Sequence, residues 1–167
     1  LHKEIKMYKH LINEIADWPK EGVSFKDISP LLKSQEFQNA VKALGNQFDL
    51  NIVDHFVGID SRGFIFASAM AVLFDKGLVL VRKKGKLPPP VITKQYNLEY
   101  GKDSLEIAPG TGNVVIIDDV LATGGTLKAT RELCNRAGYT VLDCGVLIDL
   151  KFLHDNDINA KSVILYE

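Results

Sequence analysis

Two adjacent carboxylates, Asp118 and Asp119, follow the apolar run VVII at 114–117, and the small-residue stretch Ala122-Thr123-Gly124-Gly125-Thr126 comes next, before a helical pattern begins. In an open parallel sheet, ligands bind beyond the carboxyl ends of the strands, where loops lead into helices. There a bare glycine backbone lets an anion reach main-chain N–H groups, and the helix start adds partial positive charge. Thr123 and Thr126 supply hydroxyl donors. Carboxylates beside such a cradle accept hydrogen bonds from vicinal hydroxyls, and help hold Mg2+ directly or through water. The implied ligand has a phosphate at one end with hydroxyls or a metal ion nearby, and a phosphorylated ribose fits. The segment lacks the lysine of a GxxxxGK phosphate loop, and Gly110-Thr111-Gly112 precedes a strand instead of following one, which removes the dinucleotide fingerprint. A phospho-accepting receiver domain also places paired acids at a strand end. There they lie near the start of the domain, whereas here they lie two-thirds of the way along.

The elements that must position these residues alternate along the chain. Strand-like FVGI (56–59), helical GFIFASAMAVLF (63–74), strand LVLV (78–81), strand VVII (114–117), a helix over about 125–137, a strand within TVLDCGVLIDL (140–150) and a closing SVILY (162–166) follow one another. Short unbroken apolar strands with helices between them predict an α/β fold, an open and mainly parallel sheet covered on both faces. Upstream, Ile5, Tyr8, Ile12 and Ile15 recur at helical spacing and predict an amphipathic helix over 3–16, stopped by Pro19. Phe37, Val41, Leu44 and Phe48 predict a second helix, with Ser34 as its cap. Residues 82–104 form a long irregular connection with five lysines, one arginine and three consecutive prolines. Connections of that length inside a compact domain are uncommon. The segment reads either as a solvated basic hairpin or as a flexible lid that closes over an anionic substrate.

Composition excludes several classes. At 167 residues the chain suits a single domain, 1–167, able to bury roughly 70% of the surface its unfolded form exposes. With 20 basic against 21 acidic residues, no global field draws it to nucleic acid or to a membrane surface. Cys134 and Cys144 have no metal-ligand spacing, which points to reduced thiols and a cytoplasmic setting. Neither is assigned a role. No apolar stretch approaches the ~18 residues of a membrane span, and the first residues show no signal-peptide core.

VVIIDDVLATGGT (114–126) closely resembles the phosphoribosyl-pyrophosphate signature of the type I phosphoribosyltransferases. GVSFKDISPLL (22–32), GIDSRGFIFA (58–67), VRKKGKLP (81–88) and YNLEYGKDSLEI (96–107) resemble, in order, the distinguishing blocks of one branch of that family, the adenine phosphoribosyltransferases. The resemblance implies Mg2+-dependent transfer of phosphoribosyl from 5-phosphoribosyl 1-pyrophosphate to N9 of adenine, giving AMP and pyrophosphate in purine salvage. It also implies a homodimer, a small hood over about residues 1–32 and a lid over about 82–104.

Carried onto matching positions, the resemblance assigns Asp118 and Asp119 to the ribose hydroxyls and Ala122, Thr123, Gly124, Gly125 and Thr126 to the 5′-phosphate. Ser61 and Arg62 in Asp60-Ser61-Arg62-Gly63 would hold pyrophosphate, in a loop where the family has a cis peptide. Arg82, Lys83 and Lys86 would screen its charge, with Arg82 reaching across the dimer. Glu99 matches the family's catalytic glutamate, which approaches N7 of the purine, and Tyr100 would shield the site. Adenine would lie between Phe25 and Val120, read by backbone groups around Ser24 and Lys26. Ala122 stands where several relatives carry an acid that handles the base's proton, so that task falls to Glu99. No metal is expected to be held by the protein alone; Mg2+ would arrive with the substrate and lean on Asp118 and Asp119. The join LEIAPGTGNVVII (105–117) is shorter than in many relatives, and Pro88-Pro89-Pro90 is unusual. A transferase for another base, or a non-catalytic sensor of a purine or of phosphoribosyl pyrophosphate, is the alternative.

Overall fold

The computed structural model describes residues 8–98, 101–155 and 157–167. A seven-stranded sheet runs in the order β5-β6-β4-β3-β7-β8-β9. Its strands are β3 (His55–Ile59), β4 (Gly77–Lys83), β5 (Ile92–Leu98), β6 (Gly101–Ile107), β7 (Gly112–Leu121), β8 (Tyr139–Leu150) and β9 (Lys161–Tyr166). β4, β3, β7, β8 and β9 are mutually parallel, while β6 lies antiparallel between β4 and β5. The apolar runs at 56–59 and 114–117 are buried on both faces, as strands covered by helices on either side must be. One face packs against α2 (Glu36–Gly45) and α3 (Gly63–Leu73) through Val41, Leu44, Phe66 and Met70. The other packs against α4 (Gly125–Ala137) through Leu127, Leu133 and Ala137.

Three sequence expectations need correction. Among the described residues, 8–16 contain no amphipathic α-helix: a single turn at Lys9–Leu11 leads into β1 (Asn13–Ala16). β1 pairs antiparallel with β2 (Ser24–Asp27), Ile15 opposite Phe25, so a distant partner overrides the local spacing. The predicted residues 3–7 lie outside the described residues. The second helix starts at Glu36, whose N–H donates to Ser34 Oγ at 3.1 Å. It ends at Gly45, so Phe48 falls in the following turn yet still packs on the core. The described residues of 82–104 are not wholly irregular. They carry the end of β4, a turn centred on Gly85 and most of the β5–β6 hairpin, whose strands pair from Ile92↔Ile107 to Leu98↔Gly101. The short helix α1 (Ser29–Lys33) joins β2 to α2.

Cys134 and Cys144 are buried and unpaired. Burial pushes the Cys134 thiol up to about 12 and raises Cys144 as well. No helix among the described residues is long and apolar enough to cross a membrane.

The approach of α3 to β3 sets where the cleft described below can open. A Cβ at Gly58 would stand 2.9 Å from Ala67 Cβ and 3.1 Å from the Phe64 ring. Gly58→Val should therefore destabilise the fold by about 1–3 kcal/mol through overpacking. A lowered urea midpoint with unchanged slope is the expected readout.

Candidate functional site

β3 and β7 run side by side, with Gly58 opposite Ile117 as their last pair. β3 then turns through Asp60-Ser61-Arg62 into α3, while β7 continues through Asp118 and Asp119 to Leu121 and turns into α4. The separation leaves a cleft of about 490 Å³, whose lining includes Ser61, Arg62, Asp118, Asp119 and Thr126, with Lys83 and Lys86 on the β4 side. The Asp60–Ser61 peptide is cis, as the family resemblance implied.

The acids form the floor. Asp119 is 6% exposed. Arg62 Nε lies 2.8 Å from its Oδ2, but the N–H is not directed at that oxygen, which is left buried without a hydrogen-bond donor among the described residues. A buried acceptor left unsatisfied costs about 1–3 kcal/mol, so this oxygen suits a ligand hydroxyl. Asp118 Oδ1 accepts the N–H of Asp119 at 2.9 Å. Loss of water around the Asp118 carboxyl, and then the charge of Asp119, hold Asp118 well above the usual carboxylate range, with Arg62 opposing. Two hard oxygen donors of this kind fit Mg2+ that keeps waters and substrate oxygens as its remaining ligands. Among the described residues, no group of three or more His, Cys, Asp or Glu could hold a metal ion.

Opposite the acids stand bases, each steadied by an acid of its own. Lys83 Nζ is 4.0 Å from Asp103 Oδ2. Lys86 sits in a turn whose backbone is pinned by buried Glu106, Oε1 of which accepts the N–H groups of Lys86 and Leu87 at 3.0 and 2.9 Å. Arg82 stands apart from this lining: its Nε donates to Asp60 Oδ2 at 3.2 Å, bracing the β3 turn. At the other end, Gly124 adopts φ +90° immediately before α4, a conformation that favours glycine. Thr126 faces the cleft, whereas Thr123 borders a smaller hollow of about 270 Å³.

Phe25 joins β2 to the cleft through Arg62. The Arg62 guanidinium lies 4.9 Å from its ring centre, and Trp18 meets it edge-on at 4.6 Å. Lys26 turns the other way, pairing with Glu14 at 3.0 Å and lying over the Tyr166 ring. Ser24 Oγ is on that same side, 3.4 Å from Lys26 Nζ. Val120 and Ala122 are half-buried and pack on the α2–α3 side of the core. Glu99 and Tyr100 lie outside the described residues.

Two residues escaped the sequence reading. Tyr96 of β5 lines the cleft, and its hydroxyl meets the side chains of Thr126 and Asp103. Burial, then the charge of Asp103, raises it above its ordinary value. Alternation through 92–98 was the available signal, obscured by the prolines before it. Glu106 gave no signal, since its partners are backbone groups twenty residues away.

Residues 28–162 match the phosphoribosyl transferase domain model. The chain is 49% identical over 162 residues to the adenine phosphoribosyltransferase of Bdellovibrio bacteriovorus, covering 95% of this chain and 98% of that one. The crystal structure of adenine phosphoribosyltransferase from Rhodothermus marinus superimposes with a TM-score of 0.89 at 38% identity, covering 99% and 100% of the two chains. That of the Saccharomyces cerevisiae enzyme, complexed with an imino-altritol bisphosphate and adenine, gives 0.86 at 32% identity over 98% and 99%. The cleft and sheet are thus those of a phosphoribosyl transferase domain. Within that class, the chain belongs to the adenine phosphoribosyltransferase family.

The Glu106 contacts lead to a pH-dependent expectation. Backbone hydrogen bonds, that of Leu87 first, hold its carboxyl below the ordinary value of 4.5. Its contribution is therefore present above about pH 4.5 and lost as pH falls through the lowered folded value. Hydrogen exchange at the Lys86 and Leu87 amides, corrected for intrinsic rate, should lose protection in acid. Glu106→Gln should show reduced protection there already at neutral pH.

Proposed function

We propose that this cleft transfers the phosphoribosyl group of 5-phosphoribosyl 1-pyrophosphate to N9 of adenine, leaving AMP and releasing pyrophosphate in the purine-salvage reaction of its family. The buried, donor-less Asp119 Oδ2 facing a basic wall carries the reading, because it asks for a hydroxyl beside an anion. Asp118 and Asp119 accept hydrogen bonds from the ribose hydroxyls. The N–H groups of 122–126, at the start of α4, hold the 5′-phosphate together with the hydroxyls of Thr123 and Thr126. Ser61, Arg62, Lys83 and Lys86 receive the pyrophosphate and neutralise charge as it departs. Adenine stacks on Phe25 opposite Val120, and the turned-away side chains of Ser24 and Lys26 leave their backbone groups to read its edge. Asp118 and Asp119 would be the protein-side partners of Mg2+ carried in on the substrate, which would supply charge stabilisation to the diphosphate.

Glu99 acts at N7, stabilising the base as it loses its proton, and Tyr100 covers the site. The paired strands on either side of them, Leu98 opposite Gly101, belong to the hairpin that brings Tyr96 into the cleft, which supports this placement. The reaction belongs in the cytoplasm, where two buried reduced thiols are at home.

The same reading includes a homodimer. Val72 is 85% exposed, and Leu73, Leu78 and Leu80 are exposed beside it at the end of α3 and along β4. Such an apolar face favours burial against a partner. Arg82 follows Leu78 and Leu80 at two-residue steps on β4 and so shares their side of the strand, which supports its reach toward a partner's site.

Adenine, hypoxanthine and guanine offered in parallel with phosphoribosyl pyrophosphate and Mg2+ should give nucleotide and pyrophosphate from adenine alone. Turnover of another base would overturn the base pocket, and tight binding without pyrophosphate release would mark a sensor. Glu99→Gln should lower kcat by about 10²–10⁴-fold, the usual worth of a general acid–base group, with little change in phosphoribosyl pyrophosphate affinity. For Asp119→Asn, calorimetry should show that affinity weakened by about tenfold or more, as for loss of a charge-assisted hydrogen bond. Val72→Asp should shift the protein to a monomer in sedimentation.

A further inference from the structure

β8 ends at Leu150, just after Asp149, and residues 151–160 connect it to β9. Three contacts tie this connection down beside the glycine turn. His154 Nε2 lies 2.6 Å from Asp149 Oδ1, with the two side chains 4% and 7% exposed, and its Nδ1 lies 2.9 Å from the Asp155 carbonyl oxygen. Lys128 of α4 pairs with Asp157 at 2.9 Å. Ile158 Cδ1 then occupies the space over Gly124, standing 1.7 Å from where a Cβ would be. Thr123 and His154 border the same hollow.

The chemistry of the histidine follows from its neighbours. A carbonyl oxygen only accepts, and so does an ionised carboxylate. Neutral imidazole has one N–H and would aim a lone pair at the second oxygen. Imidazolium satisfies both. Burial alone would disfavour the charged ring, but Asp149 and the Asp155 carbonyl more than offset it, and the net displacement is upward from 6.5. Lys151 opposes this; Asp157, itself paired with Lys128, is the other charge that senses the ring.

We propose that protonated His154, bridging Asp149 and Asp155, is a positioning residue for the phosphate turn: it fixes the connection so that Ile158 backs Gly124 and the Thr123–Thr126 amides stay aimed at the 5′-phosphate. The proposal rests on the reading that this turn takes that phosphate. His154 touches no reacting atom. Its grip is complete below about pH 6.5 and is lost as pH rises through the raised folded value.

The test is steady-state kinetics with phosphoribosyl pyrophosphate from about pH 6 to about pH 9, spanning the histidine range, on wild type and His154→Gln. The amide offers donors at one end only. At the acid end, KM for phosphoribosyl pyrophosphate should rise about tenfold in the variant, as for loss of one charge-assisted hydrogen bond, with kcat within about twofold. The variant-to-wild-type KM ratio, from which the substrate's own ionisation cancels, should fall toward one as pH rises. A pH-independent ratio, or kcat falling in step, overturns the proposal. Should His154→Gln fail to fold, Ile158→Ala decides: the same KM rise at the acid end, with the variant-to-wild-type ratio again falling toward one as pH rises, supports the coupling, and an unchanged KM or a pH-independent ratio overturns it. Failure of wild type to bind phosphoribosyl pyrophosphate would defeat the functional reading instead.

Discussion

The contact between Arg62 and Asp119 organises the cleft. Arg62 opens α3, so its backbone is fixed by the packing of that helix on β3, while its guanidinium reaches the floor acid on β7 and lies over Phe25 of β2. A half-exposed ion pair contributes little to stability. Its importance is electrostatic and geometric. It sets a cation against one member of a carboxylate pair whose other member, Asp118, resists ionisation, and it joins sheet and helix to Phe25 at one point.

The bases in and beside the cleft share a further constraint. Arg62, Lys83 and Arg82 each lie against a carboxylate, and Glu106 ties down the backbone that carries Lys86. Charge is thereby segregated locally in a chain whose formal net charge is only −1. An entering anion meets cations already held in place, so less side-chain freedom is lost on binding. The acids prevent those cations from repelling one another in the meantime.

The legible parts of the sequence were those fixed by neighbouring residues. The buried runs at 56–59 and 114–117, the glycines before α4 and the acids at the end of β7 announce themselves through local pattern. Strand Asn13–Ala16 does not, because it depends on a partner eleven residues away at Ser24–Asp27, and its Ile15 mimics a helical period. Glu106 was invisible for a similar reason, since only tertiary folding brings its backbone partners near, and Tyr96 showed no more than the alternation of its strand. The resemblance to a family supplied residue roles that periodicity alone could not, including that of Arg82, yet it gave no hint that Asp60 engages Arg82 within the chain.

The cleft draws its walls from Arg62, Lys83, Tyr96, Asp118 and Thr126, points far apart along the chain and brought together only when the sheet has paired. An unfolded or half-paired chain presents no such cleft to a ligand. Whatever binds the cleft is therefore a selective ligand of the native state, adding about 2.7 kcal/mol of apparent stability at a hundredfold excess over Kd. Occupancy of the cleft and persistence of the fold are then two readings of a single equilibrium.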